Sequence, residues 1–283
     1  MDIRIMLGGI SFLIDSEFEL KIENSWSSFL WTEEAFCDIT IKVRREEKRI
    51  SKPQVCMRGE DLLLEYYKEK EQLICLAKGG VDGYLAQTLC DGSLTKIECN
   101  ICSKHMESLG TLGNILRLIP MGIIFQEKKV LFFHASQIEI KGKGILFTAP
   151  SGTGKTTQAK LWKKYRNAKI ICNDRTLLRG GQTYGYPIDG SEPVRSGKIL
   201  PSGAIVVLAQ GEENSIRRLA EKEALKLVMP QLVTALWDPM TRFLAMEQIV
   251  ALMEKCPIYY FSCVPEESAV QCLEQQLIID GVI

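Results

Sequence analysis

The chain has no surplus of charge: its 35 lysines and arginines are matched by 35 aspartates and glutamates. That balance excludes a large field of one sign, so neither nucleic acid nor a membrane surface is expected as a partner. Long apolar runs are also missing, and the opening Met1-Asp2-Ile3-Arg4 lacks the layout of a signal peptide, so the cytoplasm is the expected compartment. Histidine is scarce, with only His105 and His134. Cysteine is not, but its ten copies are scattered singly through apolar stretches, as at Cys75, Cys172 and Cys263. This is the pattern of reduced core residues in a reducing compartment. The one cluster, Cys99-Asn100-Ile101-Cys102-Ser103-Lys104-His105, could reach four zinc ligands only through the distant Cys90, and reads better as a half-buried strand end.

What the chain does have is Phe147-Thr148-Ala149-Pro150-Ser151-Gly152-Thr153-Gly154-Lys155-Thr156-Thr157. It fits the phosphate-loop pattern G-x-x-x-x-G-K-[ST], with Ala149 in place of the first glycine. Gly152 and Gly154 let the backbone turn successive N–H groups toward phosphate oxygens, and Lys155 adds a point charge near the β- and γ-phosphates. The Thr156 hydroxyl is placed to hold Mg²⁺. Ser151, Gly152, Thr153, Gly154, Lys155, Thr156 and Thr157 are thus the expected nucleotide-binding residues. Upstream, Gly144-Ile145-Leu146-Phe147 has the character of a buried strand; downstream, Gln158-Ala159-Lys160-Leu161-Trp162-Lys163-Lys164-Tyr165 has helical apolar spacing. The phosphates would meet the amino end of a helix, where unpaired N–H groups and the dipole favour an anion.

The 283 residues suffice for one large domain or two unequal ones. Residues 1–125 read as a β-rich region with a role in substrate recognition or in completing the fold, and residues 126–283 as the nucleotide-binding catalytic domain. In the front region, strands are expected at Ile3-Arg4-Ile5-Met6-Leu7 and Ile10-Ser11-Phe12-Leu13-Ile14 around Gly8-Gly9, and at Cys37-Asp38-Ile39-Thr40-Ile41-Lys42-Val43. Two more are expected at Gln72-Leu73-Ile74-Cys75-Leu76-Ala77 and Leu94-Thr95-Lys96-Ile97-Glu98-Cys99. The charged Arg44-Arg45-Glu46-Glu47-Lys48-Arg49 reads as a solvated hairpin tip. A helix is expected over 112–125. Beyond it come Val130-Leu131-Phe132-Phe133-His134 and Gln137-Ile138-Glu139-Ile140 as separate strands, and Ala168-Lys169-Ile170-Ile171-Cys172-Asn173-Asp174 as a strand ending in a carboxylate. In a nucleotide-binding sheet that end faces the phosphates, so Asp174 is the expected second magnesium ligand beside Thr156. Tyr184-Gly185-Tyr186-Pro187-Ile188-Asp189-Gly190-Ser191-Glu192-Pro193 is placed to lie over the site, and Met240, Met246 and Met253 are expected in the core.

Taken in order, Leu131-Phe132-Phe133-His134-Ala135-Ser136, the glycine loop, Asn173-Asp174-Arg175-Thr176-Leu177-Leu178-Arg179, Tyr184-Gly185-Tyr186-Pro187 and Ala204-Ile205-Val206-Val207-Leu208 resemble the HPr kinase/phosphorylase family. Within it they resemble the shorter HPr-kinase-like proteins of bacterial peptide-modification clusters, which include the kinases that phosphorylate lasso-peptide precursors. The resemblance covers a little under half the chain. It implies a mixed, β-rich α/β fold with the phosphate-loop core shared by HPr kinases and phosphoenolpyruvate carboxykinases. It sets His134 beside the transferred phosphoryl group, and Arg195 on the family's mobile loop. The family's two adjacent aspartates correspond here to Asn173-Asp174 or, shifted by one, to Asp174-Arg175, so one carboxylate is missing. An amide cannot take a proton, so base duty falls to Asp174 or His134.

The resulting expectation is an ATP- and Mg²⁺-dependent kinase with His134, Asp174 and Lys155 as catalytic residues. Its acceptor is a serine or threonine hydroxyl on a small protein or ribosomal precursor peptide, and a homo-oligomer stays open. The alternatives are a kinase of a small metabolite resembling free serine, and a catalytically weak ATP-binding module of a peptide-modification complex.

Overall fold

The computed structural model describes every residue except 34–35, 80–82 and 189–195. The described chain is mixed α/β and β-rich, with two large mixed sheets. It divides into two compact units: residues 1–128 with 234–242, and residues 129–233 with 243–283.

The first unit is built on β1 (Asp2–Leu7), β2 (Ile10–Ser16), β3 (Ile39–Glu46), β4 (Met57–Glu60), β5 (Leu64–Glu69), β6 (Gln72–Ala77), β7 (Ala86–Cys90) and β8 (Lys96–Cys102), in the order β1-β2-β3-β8-β7-β6-β5-β4. Gly8 and Gly9 have φ of 60° and 72°, which a tight hairpin turn demands and glycine accepts without strain. On β3 the alternation of Ile39, Ile41 and Val43 with polar residues puts one face in the core. Because β3 lies parallel to both β2 and β8, the charged stretch 44–49 is where the chain leaves a central strand, not the expected hairpin tip. Short helices follow at α1 (Met106–Leu109), α2 (Leu112–Arg117) and α3 (Met121–Glu127). The single helix expected over 112–125 is therefore two. Pro120 has no N–H to continue the ladder and disfavours helical backbone at the residue before it. The Phe125 ring of α3 meets Phe12 edge-on, with centroids 6.4 Å apart.

The second unit runs β9 (Leu131–Ile140), β10 (Lys143–Thr148), α4 (Lys155–Arg166), β11 (Lys169–Cys172), β12 (Arg175–Arg179), β13 (Gln182–Gly185), β14 (Ile199–Gln210), β15 (Ser215–Arg218), α5 (Glu221–Val228), α6 (Pro239–Met253), β16 (Ile258–Cys263) and α7 (Glu267–Ile279). The first turn of α6 belongs to the first unit. The two strands expected over 130–140 are one, β9. Its first half pairs with β12, and its second half with β10 and β11. β14 is likewise shared: its start pairs with β13, its middle with β10 and its end with β16. Pairing thus closes a ring, β9-β12-β13-β14-β10. Buried Gln137 ties that ring together, donating to Thr183 Oγ1 at 2.7 Å and accepting from Thr176 Oγ1 at 2.5 Å.

Side chains alternate across the sheet formed by β10, β14 and β16. Ile145, Phe147, Val206, Leu208, Tyr259 and Phe261 are buried with Trp162 of α4 and Leu273 and Leu277 of α7. Leu146, Ile205, Val207 and Ile258 are buried with Val228 of α5 and Ile249 and Leu252 of α6. Each such large side chain contributes about 1.5–3 kcal/mol on burial. Met253 packs partly against this second cluster, but Met240 and Met246 are exposed, contrary to the expectation that they fill the core. Because β10 and β16 both run parallel to β14, the carboxyl ends of all three strands lie at one edge of the sheet.

Candidate functional site

Thr148 closes β10 at that edge, and the glycine loop bridges it to α4. Gly152 has φ of 80° and Gly154 has φ of 119°, and a Cβ built on either would meet nothing within 4 Å. Backbone conformation, not crowding, therefore requires glycine here. Ala149, which stands where the pattern has its first glycine, is fully buried among Ala159, Phe147 and their neighbours, so its methyl group points into packing that accepts it. Gly154 caps α4, whose first N–H groups have no intrahelical acceptor. Ser151, Gly152 and Thr157 are exposed, while Thr153, Gly154 and Thr156 are half-buried. Gln210, at the end of β14, donates to the Gly152 carbonyl at 3.4 Å and steadies the loop from the neighbouring strand.

Lys155 is buried, and its ammonium donates to the carbonyls of Ala149 at 2.8 Å and Pro150 at 3.2 Å. Burial lowers its pKa, while the carboxylate of Asp174 acts in the opposite sense. The lysine is therefore within electrostatic reach of the second predicted site residue.

Asp174 is placed by topology. β11 and β12 lie along the same edge of β9, and Asn173 and Asp174 form the bend between them. The Ala135 N–H donates to the Asp174 carbonyl at 3.0 Å, Ser136 Oγ donates to the Asn173 carbonyl at 2.8 Å, and His134 pairs with Arg175 across the ladder. This register brings His134 Nε2 to 3.0 Å from Asp174 Oδ1, with Arg175 Nε 3.2 Å from Oδ2. The hydrogen bond to His134 is the main reason the Asp174 pKa falls to about 2. Partial burial opposes the fall, and the Arg175 charge adds to it.

His134, Lys155 and Asp174, nominated separately from sequence, thus form one group with the glycine loop. Asn173 lies outside that group: it is buried, and neither side-chain amide atom has a hydrogen-bond partner among the described residues. The side chains that share the open face are Asp174 and Arg175, each 27 % exposed. Arg175 was the residue missed as a site member. Its position one past Asp174 was visible in the sequence, but its contact was not. Of the segment expected over the site, Tyr184 and Gly185 belong to β13, and Tyr186 is buried against the Phe132 ring, with centroids 4.7 Å apart. The rest of that segment from Asp189 to Pro193 and Arg195 fall outside the described residues.

Among the described residues no three His, Cys, Asp or Glu side chains gather as a metal centre, and the cysteines are free thiols. A magnesium ion here would be held by the Thr156 hydroxyl and the Asp174 carboxylate, with phosphate oxygens and water completing its shell. The donors suit it: they are hard oxygens, and each Asp174 oxygen keeps a lone pair beyond its bond to His134 or Arg175. No helix among the described residues is long and apolar enough to cross a membrane. Compared with protein-family models and with curated proteins, the chain matches none.

Proposed function

We propose that the chain is an ATP- and Mg²⁺-dependent kinase, built on an HPr-kinase-like phosphate-loop core, that phosphorylates a serine or threonine of a small protein or ribosomal precursor peptide. One observation carries this reading: a glycine loop with a buried lysine stands beside a histidine–aspartate pair at the carboxyl edge of the sheet. The amino end of α4 follows the loop there, and its unpaired N–H groups favour an anion.

The loop N–H groups and the amino end of α4 bind the phosphates. Lys155, already stripped of most of its water, neutralises the charge spread over the transferring group. Asp174, with a pKa of about 2, is too weak a base to take a hydroxyl proton. It instead fixes the imidazole of His134, whose second ring nitrogen, Nδ1, accepts the proton as the acceptor oxygen bonds to the γ-phosphorus. The bond from that phosphorus to the β-phosphate oxygen breaks, and ADP leaves. Magnesium, when bound, screens the β- and γ-oxygens.

Turnover of labelled ATP is the test. Wild type is expected to phosphorylate an acceptor, and Lys155→Ala and His134→Asn are expected to lose most of that activity while staying folded; equal rates in all three would refute the reading. A second reading draws on Asn173, which stands buried where a further carboxylate would be needed for full activity. It makes the chain an ATP-binding module that transfers nothing. Calorimetric titration with ATP and Mg²⁺ beside the turnover assay separates the two, since binding without turnover supports only the module.

A further inference from the structure

Two stretches left without chemistry by the reading above meet in the first unit. The chain leaving β3 carries Glu47 and Arg49, the turn after β8 carries Lys104 and His105, and with Ile50 and Tyr84 they line a cavity of about 190 Å³. Its apolar wall is fixed: Ile50 is buried, and Tyr84 packs against the same small core as Tyr67, Ile74 and Leu76. The Tyr84 hydroxyl donates to Glu65 at 2.8 Å, which leaves the ring to line the cavity. The cations are uncommitted. Arg49 and Lys104 are both exposed, and neither side chain makes an ion pair or hydrogen bond to a described residue. Among the described lining residues, one carboxylate, Glu47, stands against these two and the imidazole of His105.

Ligand cavities for whole drug-sized molecules begin near about 300 Å³, so this one suits a single side chain and the charged group beside it. We propose that it binds an acidic peptide segment, with an apolar side chain against Ile50 and Tyr84 and neighbouring carboxylates on Arg49 and Lys104. Charge complementarity argues for this occupant: in a chain of zero formal net charge, two cations without a partner among the described residues stand at one cavity mouth. The inference rests on the kinase reading only in calling that peptide the phosphate acceptor.

The test is fluorescence anisotropy at low ionic strength with a fluorescein-labelled Ser-Gly-Leu-Glu-Glu-Gly peptide and its counterpart bearing Gln for Glu. The full-length protein should bind the acidic peptide about tenfold more tightly, a difference of about 1.4 kcal/mol. That preference should vanish in Arg49→Glu and in Lys104→Glu, and weaken in the milder Lys104→Gln. Both positions are exposed, and circular dichroism of each variant checks that the fold is kept. In Lys155→Ala the preference should persist although turnover is lost, so a failed kinase assay and a failed peptide assay are told apart. Equal affinity for the two peptides, or a preference that survives both charge reversals, would overturn the proposal. So would displacement of the peptide by inorganic phosphate at the concentration of the peptide itself, since the occupant would then be a small anion.

Discussion

Replacing Asp174 by Asn keeps the side chain's shape and one acceptor oxygen but removes its charge. The charge is worth a calculable amount, because the contacts with His134 and Arg175 lower the carboxyl from its ordinary 3.8 to about 2. That difference corresponds to about 2.4 kcal/mol of preference for the folded state. Since 27 % of the side chain is exposed, solvent screens part of it, and Asp174→Asn should cost about 1–2 kcal/mol at neutral pH. The sign with pH follows from the direction of the shift. A carboxyl lowered in the folded state stabilises fully above its unfolded value and loses that stabilisation as pH falls through the folded one. The gap between wild type and Asp174→Asn should therefore shrink to about half at pH 3, between the two values. Urea titrations read by pulsed hydrogen exchange of the peptide 131–140 report on β9, where His134 sits. A variant as stable as wild type at neutral pH, or a gap unchanged at pH 3, would refute the assignment of Asp174 as an ionised partner of His134.

The remaining predictions concern the loop and the first unit. Lys155→Ala should lower phosphoryl transfer by at least about 100-fold with an unchanged circular dichroism spectrum, because among the described residues its ammonium bonds only two carbonyls, both of its own loop. Gly154→Ala has room for its methyl group but must hold φ near 119°, so it should lose about 1–3 kcal/mol and bind ATP more weakly in calorimetry. In the first unit, Gly59→Ala would drive a Cβ into the Trp237 ring, which packs tilted against Tyr66, and should lower the melting temperature through overpacking of about 1–3 kcal/mol. Glu65 is pushed up by burial but pulled lower overall by the hydroxyls of Tyr67 and Tyr84 and the charge of Lys52. Its contribution is present above the ordinary carboxylate range and lost on acidification through the lowered value. Tyr67→Phe should shift the acid limb of first-unit unfolding to higher pH.

Much of the sheet architecture was legible because alternation is a local signal. β3 alternates at Ile39, Ile41 and Val43 within the expected stretch, and the Gly8-Gly9 hairpin could be read from two adjacent glycines. Where pattern failed, a polar residue had been buried for a reason that only tertiary structure supplies. Ser136 and Gln137 interrupt the apolar run between Phe133 and Ile138, so β9 read as two strands. In the folded chain Ser136 bonds the Asn173 carbonyl and Gln137 bonds Thr176 and Thr183. β5 escaped the pattern for a related reason: Leu64-Glu65-Tyr66-Tyr67-Lys68-Glu69 has no apolar run, and its buried Glu65 is held by the hydroxyls of Tyr67 and Tyr84.

The candidate site divides along the same line. The glycine loop announces itself because seven contiguous residues create it, and a strand ending in Asp174 is a local fact as well. Which residue of Asn173-Asp174-Arg175 faces the loop is a question of register between strands whose contacting residues lie 40 positions apart in sequence. One residue of slip between β9 and β12 would turn His134 to the other face of the sheet, as period-two geometry requires. The observed pairing of His134 with Arg175 fixes that register, and the bend it leaves buries Asn173 while Asp174 and Arg175 stay partly exposed. The carboxylate is thereby flanked by an imidazole on one oxygen and a guanidinium on the other. In the proposed mechanism proton acceptance therefore falls to His134, the residue that the carboxylate orients.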